Sequence, residues 1–453
     1  MLKRKIEDKL TEWKKTPSHN PLIIKGCRQC GKTYSALQFA RQNYSSVVYI
    51  NFFENPLYSK IFEGSLDVDT LVMNITAILP ESDFKPHDTC LILDEIQECP
   101  RARMALKFLK IDGRYDVIGT GSLLGIAGYK DDKISIPVGY ETVIKMYPLD
   151  FEEYLWANGI SDTILDALRV CVKEIRPMPE LLHERRRELV KTYIIVGGMP
   201  AVVNEFISSH MLNRVLETQR NIINGYRDDM VKYAPSNEKN KIRECFNSIP
   251  AQLSKENKKF QYSLIKKRAS AEYFEGSLQW LADAGIINKC HNLTITELPL
   301  DGNAETNVFK VYLADIGLLV SMLEDGTQAD ILNGSIYGYR GAVYENLVAD
   351  FLSKDGKKLY YYRKDSGLEV DFVMRIDGEC VIIESKAATG NTKSAKTILR
   401  HPEKYRVKHA IKLGDYNIGF ANGILTLPTY LGFMMPYVTW ADNAQNELTD
   451  KNI

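Results

Sequence analysis

The chain carries no charge surplus, with 58 Lys and Arg against 58 Asp and Glu in 453 residues. That balance argues against a general basic coat for nucleic acid and leaves only local patches open. Long apolar runs are missing too. No stretch is long enough to span a bilayer, and the N-terminus, Met1-Leu-Lys-Arg-Lys-Ile-Glu-Asp-Lys9, is too charged for the apolar segment of a secretion signal. These absences predict a cytoplasmic protein with no membrane partner. A zinc centre lacks its second half: of eight scattered cysteines, only Cys27 and Cys30 are spaced Cys-x-x-Cys. The pair reads as incidental, with oxidative inactivation of its loop as the sharper alternative. The length allows about two to four domains with substantial cores.

What is present begins at Gly26-Cys-Arg-Gln-Cys-Gly-Lys-Thr33, which fits the loop G-x-x-x-x-G-K-[ST]. Pro21–Ile24 before it reads as a buried strand, and Tyr34–Arg41 after it as a helix whose positive end faces the loop. In such a loop the backbone from Gly26 through Cys27, Arg28, Gln29, Cys30 and Gly31 wraps nucleotide phosphates, Lys32 reaches the β and γ oxygens, and the Thr33 hydroxyl holds Mg²⁺. Leu2, Ile6, Leu10 and Trp13 share one helical face, so Leu2–Lys14 predicts a helix with Trp13 in the core. Ser46–Asn51 reads as a strand and Leu71–Leu79 as a helix. The apolar run Cys90–Leu93 ends in Asp94-Glu95, as a buried parallel strand delivers acids to the carboxyl edge of its sheet. There Asp94 is suited to the Mg²⁺ water shell and Glu95 to the water that attacks the γ-phosphate. Tyr115–Ile118 predicts another strand, followed by Gly119-Thr-Gly-Ser122. Thr120 is either a γ-phosphate sensor or part of a tight turn.

Gly26–Thr33, Leu93-Asp-Glu-Ile-Gln97, Thr120-Gly-Ser122, Pro137-Val-Gly-Tyr140 and Met146–Tyr154 together resemble the bacterial and archaeal AAA-type ATPases that carry a C-terminal nuclease-like domain. The resemblance covers nearly the whole chain. It implies an ATP-binding core with Asp94 and Glu95 as the Walker B pair and Thr120 as first sensor. One departure is that Gly139 precedes Tyr140, where such proteins often have a glycine-arginine. The fold class expected is α/β: a P-loop NTPase three-layer parallel sheet (1–155), a helical lid (156–235), a winged-helix-like region (236–335) and an α/β nuclease-like domain (336–440).

Within the lid, Glu184–Glu188 reads as a solvated helix face, and Gly197-Gly198 with Pro200 as a hinge. Arg227 is a candidate arginine finger, in cis or from a neighbouring copy, which leaves a homo-oligomer open; pairing with Asp228 or Asp229 is the plainer reading. Polar Pro235–Asn240 suggests a boundary. Helices over Tyr262–Ile287, then strands at Leu293–Thr296 and Val308–Leu313, suggest a winged helix. Lys258, Lys259, Lys266, Lys267 and Arg268 would give it a basic edge for nucleic acid, DNA before RNA.

Glu345 lies one turn into a helix over Gly341–Leu352. Leu368–Met374 and Cys380–Lys386 read as strands joined by Asp377-Gly378, the pair that favours a two-residue type I′ hairpin. That register sets Asp371 opposite Glu384 and Glu369 opposite Lys386, all on one sheet face. Opposed carboxylates repel unless a cation or proton intervenes, and two hard oxygen ligands suit Mg²⁺ or Mn²⁺. Asp371 with Glu384-x-Lys386 and upstream Glu345 resembles the PD-(D/E)xK nuclease superfamily. The resemblance implies that Asp371 and Glu384 hold the metal, that Glu345 supports its shell and that Lys386 activates water. Val370 stands where a proline usually precedes the first aspartate. Ala410–Leu413 and Leu425–Leu431 would complete the sheet.

Overall fold

The computed structural model describes residues 2–122, 139–256, 258–267, 269–335, 339–386 and 392–440. Pro137, Val138 and Arg268, quoted above, lie outside them. The chain forms two compact units, one of Lys3–Pro148 with Asp283–Gly285, the other of Leu149–Ala282 with Ile286 onward.

The first unit is built on five parallel strands, β1 Leu22–Gly26, β2 Ser46–Asn51, β3 Thr89–Asp94, β4 Asp116–Ser122 and β5 Thr142–Met146, in the order β2-β3-β4-β1-β5. Successive side chains of these strands bury on opposite faces. Leu22, Ile24, Cys90, Ile92 and Ile118 pack in one core with residues of the helices Ile6–Lys15 and Lys32–Asn43. Ile23, Val48, Leu91, Leu93 and Val117 pack in the other with the helices Val68–Ile78 and Pro100–Asp112. A sheet buried on both faces needs the near-continuous apolar runs this sequence has. Because β3, β4 and β1 are neighbours, the phosphate loop, Asp94 and Thr120 come to one carboxyl edge.

Three local readings change. Gly119–Ser122 continues β4 rather than forming a tight turn, and a Cβ at Gly119 would fall 2.6 Å from Ile23 Cδ1, so that side chain would have to shift to admit one. The first helix starts at Ile6, leaving Leu2 outside it. Strand β5 was not legible in advance: only Met146 of its five residues is buried. Trp13 is in the core, its Nε1–H donating to the Asn20 carbonyl at 2.8 Å.

The second unit opens with the helix Phe151–Ala157, started by a capping box in which Asp150 accepts from the Glu153 amide and Glu153 from that of Asp150. Further helices follow at Asp162–Lys173, Glu180–Val196, Pro200–Ser209, Leu212–Tyr233 and Lys239–Leu253. Its eight-stranded mixed sheet comprises β6 Ile287–Leu293, β7 Ala304–Leu313, β8 Leu359–Arg363, β9 Glu369–Ile376, β10 Glu379–Ser385, β11 His409–Gly414, β12 Gly419–Ala421 and β13 Ile424–Pro428. The order is β12-β13-β11-β10-β9-β8-β6-β7. The hairpin β6–β7 is therefore the edge of this sheet, joined through parallel β6 and β8, and not a free-standing wing. Ile287 opens β6 instead of closing a helix, and Thr294–Thr296 fall beyond it. Residues from 236–335 and 336–440 thus share one sheet.

The β9–β10 hairpin has the register drawn from Asp377-Gly378, with Ile376 opposite Glu379 and Phe372 opposite Ile383. Both turn residues have positive φ, 50° and 80°, as a type I′ turn demands. Gly197 and Gly198 are not a free joint. A Cβ at Gly198 would lie 1.9 Å from the Leu149 carbonyl oxygen, and one at Gly197 2.1 Å from Asp315 Oδ1. Close backbone approach is what these glycines permit.

Candidate functional site

The loop between β1 and the helix Lys32–Asn43 turns through two positive φ angles, 64° at Gln29 and 99° at Gly31, the second natural to glycine. Lys32 is buried, and its Nζ donates back to the carbonyls of Gly26 at 3.3 Å and Cys27 at 3.0 Å. Cys27 and Cys30 are buried in the loop and hydrogen-bonded to each other. That bond holds the Cys30 thiol down to about 6 despite burial, with help from the charges of Lys32 and Arg4. Gln29 and Arg28 are exposed.

Asp94 is the centre of this edge. Its carboxylate, only 3% exposed, accepts from the Thr33 hydroxyl at 2.9 Å, the Tyr49 hydroxyl at 2.9 Å and the Asn51 amide at 3.2 Å, and also from the Thr120 hydroxyl. Every one of these side-chain donors is neutral. Glu95 follows at φ 51°, hydrogen-bonded to the Gln97 amide. Thr33, Asp94 and Thr120 thus meet.

Tyr49, Asn51 and Arg4 escaped the sequence reading. Asn51 and Asp94 are direct partners in the β2–β3 register, so strand order would have revealed Asn51. Arg4 sits below the loop, its guanidinium donating to the Cys30 carbonyl at 3.0 Å and the Tyr147 carbonyl at 2.7 Å; nothing in its charged neighbourhood distinguishes it.

In the second unit, Asp371 and Glu384 flank the open end of the hairpin. Asp371 Oδ2 accepts from the Ser385 amide at 2.8 Å, and Glu384 accepts from the Ala395 amide at 2.9 Å and pairs with Lys386 at 3.2 Å. Glu369 pairs with Lys310 at 2.8 Å and with Arg363 at 3.3 Å, while Lys386 pairs with Glu384. Glu345 is held by Lys258, by Lys310 at 3.7 Å and by the Tyr312 hydroxyl at 3.2 Å. Lys258 therefore does not stand on a basic edge open to phosphates. Burial, then the neighbouring Glu345 charge, pushes the Asp371 carboxyl up to about 7 against Lys310 and Lys386. For Glu345 burial acts upward, but Lys310 and Lys258 outweigh it and hold the group low. Among the described residues, no three His, Cys, Asp or Glu side chains converge as a metal-holding group.

Arg227 donates to Asn224 at 3.0 Å and to Asn247 at 3.3 Å. A second buried ionic knot lies in the same unit: Lys354 reaches Asp350 at 2.8 Å and Asp315 at 3.1 Å, and Tyr193 donates to Asp350 at 2.7 Å. Asp350 and Lys354 share one helix turn, but Tyr193 and Asp315 come from two other segments, which is why no local motif announced the knot.

A parallel sheet of this order, a glycine-bounded Lys-Thr loop after β1 and an acid at the end of β3, with β4 between them, define a P-loop nucleotide-binding ATPase unit. Residues 18–155 match the AAA domain family. Residues 187–329 match a domain of unknown function (DUF8612), and residues 340–431 another (DUF4143). No curated protein matches the chain. Among solved structures, it is similar to a Walker-type ATPase of Pyrococcus abyssi at 14% identity, covering 71% of this chain and 96% of that one with a TM-score of 0.41. The Aeropyrum pernix ORC2 protein is 13% identical, with 74% and 93% covered and a TM-score of 0.35. AMPPCP-bound DnaA from Aquifex aeolicus is 12% identical, with 61% and 86% covered and a TM-score of 0.25. No helix among the described residues is long and apolar enough to cross a membrane.

Proposed function

We propose that the chain is a Mg²⁺-dependent ATP hydrolase whose nucleotide cycle controls its C-terminal nuclease-like module on nucleic acid, DNA before RNA. The observation that carries the ATPase reading is the meeting of Thr33, Asp94 and Thr120 beside the loop. The donor set fits ATP and a hydrated divalent ion, because the Asp94 carboxylate is met by neutral side-chain donors and the Thr33 hydroxyl adjoins it. Bound there, the ion would draw charge from the phosphate oxygens.

The chain's own residues do the rest. Amides from Cys27 to Thr33 wrap the phosphates, and Lys32 exchanges the Gly26 and Cys27 carbonyls for the β and γ oxygens. Glu95 takes a proton from the attacking water as the new bond to the γ-phosphorus forms and the bond to ADP breaks. Thr120 holds Asp94 in place. Titration with a fluorescent ATP analogue, together with phosphate release, tests this reading: binding and turnover undiminished by Lys32→Ala would sink it.

In the module, Asp371, Glu384, Lys386 and Glu345 are the candidate cutting residues. A second reading, in which the module grips nucleic acid or a protein without cutting, is favoured by the pairing of Glu345 and Glu369 with lysines. Incubation with DNA and RNA in Mg²⁺ or Mn²⁺ separates the two: cutting abolished by Asp371→Ala with Glu384→Ala supports the first, and binding without cutting the second.

A further inference from the structure

Opposed carboxylates in the C-terminal sheet call for a positive charge, and a divalent ion is the usual supplier. Lys310 already supplies one. It projects from β7, its side chain is 1% exposed, and its Nζ lies 2.8 Å from Glu369 Oε1, 3.7 Å from Glu345 Oε2 and 4.7 Å from the centre of the Tyr361 ring. Packed on that ring, the ammonium has little room to swing into solvent. Lys258 closes Glu345 from the other oxygen, Arg363 takes the second oxygen of Glu369, and Lys386 takes Glu384.

The acids Glu345, Glu369, Asp371 and Glu384 thus stand among Lys258, Lys310, Arg363 and Lys386, one base for each acid. Adding a divalent ion beside Glu345 would meet the fixed Lys310 ammonium as a like charge, and breaking the existing pairs would strand buried Lys310. The donor set therefore does not fit a Mg²⁺ or Mn²⁺ site that uses Glu345.

We infer that Lys310, held between Glu345 and Glu369, is the resident cation of this acidic cluster in place of a divalent ion, and that the folded chain takes up no such ion there. The inference rests on the second reading above, of a module that binds without cutting. It gives that reading a cause: the acids at Glu345 and Glu369 are already answered by Lys258, Lys310 and Arg363, and a ligand is gripped without metal at Glu345.

Mn²⁺ titration of the full chain without nucleotide, followed by the paramagnetic resonance of free Mn²⁺, tests it. Asp94→Asn is included in every sample to silence the ATPase site. The chain with Lys310 intact should bind no Mn²⁺ that Asp371→Asn removes. Lys310→Met should open a site at least ~10-fold tighter, lost again on adding Asp371→Asn, whereas Lys310→Arg, which keeps the charge, should stay closed. Mn²⁺ bound with Lys310 intact and released by Asp371→Asn overturns the inference, as does a folded Lys310→Met chain that binds none. If Lys310→Met fails to fold, the intact chain and its Asp371→Asn variant decide the matter. A nuclease assay on the chain with Asp94 and Lys310 intact keeps the two claims apart. Mn²⁺ uptake without cutting defeats the resident cation and spares the non-cutting reading, and uptake with cutting defeats both.

Discussion

Two buried acidic centres in this chain are dressed in opposite ways. In the first unit the Asp94 carboxylate is surrounded by hydroxyls of Thr33, Tyr49 and Thr120 and the amide of Asn51. Neutral donors offset the cost of burial without cancelling the charge, so the carboxylate stays available to an incoming cation. In the second unit Glu345 and Glu369 are dressed by ammonium and guanidinium groups. There the charge is spent inside the protein. The difference teaches that an acid's partners, more than its burial, decide whether it can hold a metal.

The largest effects should come from the first centre. Glu95→Gln should slow ATP hydrolysis by ~10²–10⁴-fold while leaving nucleotide affinity nearly intact, since a general base acts on the transition state. Phosphate release and nucleotide titration measured together check this, and equal losses in both would move Glu95 from catalysis to binding. Stability should separate the centres next. Glu345→Gln leaves Lys258 and Lys310 short of a counter-charge and should cost ~3–5 kcal/mol in urea unfolding. Asp94→Asn, among neutral donors, should cost ~1 kcal/mol. Similar costs for the two would erase the contrast.

What was legible in the sequence divides along the same line. The first centre was readable because its parts are local: a loop closed by Lys32-Thr33 and an acid ending the apolar run Cys90–Leu93. The β9–β10 register was readable for the same reason, since Asp377-Gly378 sets it in two residues. The partners of the second centre were not. Lys310 lies on β7, which reaches β9 only through the order β7-β6-β8-β9, and no periodicity in the sequence reports that strand order. Lys258 read as part of a basic edge for nucleic acid, and Lys310 was one residue of the strand Val308–Leu313 with no role of its own. The aromatic run Leu359-Tyr-Tyr-Tyr-Arg363 was the overlooked signal for β8, the strand that joins the two halves of the sheet.

Asp350 sharpens the comparison through pH. Burial is the main force raising its carboxyl, with Asp315 adding and Lys354 and Tyr193 opposing, from the ordinary 3.8 to about 6. The folded chain therefore holds this proton more tightly than the unfolded chain. The associated stability is fully present below pH ~4 and is lost as pH rises through ~6, by ~2–3 kcal/mol at about 1.4 kcal/mol per unit. Urea midpoints across this range should fall as pH rises, and Asp350→Asn should flatten that part of the profile. An unchanged slope in the variant would assign the effect to another group.

The smallest effect tests the neutral dressing itself. Tyr49 donates to Asp94 at 2.9 Å and accepts from the Asn51 amide at 3.0 Å, so it aims both the carboxylate and its neighbour. Tyr49→Phe keeps the ring and removes both hydrogen bonds; the one to Asp94, worth ~0.5–1.5 kcal/mol, predicts a ~2–10-fold rise in the Mg²⁺ concentration for half-maximal ATP turnover. At saturating Mg²⁺ the rate should return close to that of the unmodified chain, because the carboxylate remains and only its aim has loosened. A loss of maximal rate with no change in Mg²⁺ requirement would mean that Tyr49 serves the sheet and not the acid. Asn51→Ala removes the second neutral donor, and should shift the Mg²⁺ requirement in the same direction. Because Tyr49 and Asn51 bond each other as well as Asp94, the double variant should shift it by less than the product of the two single effects.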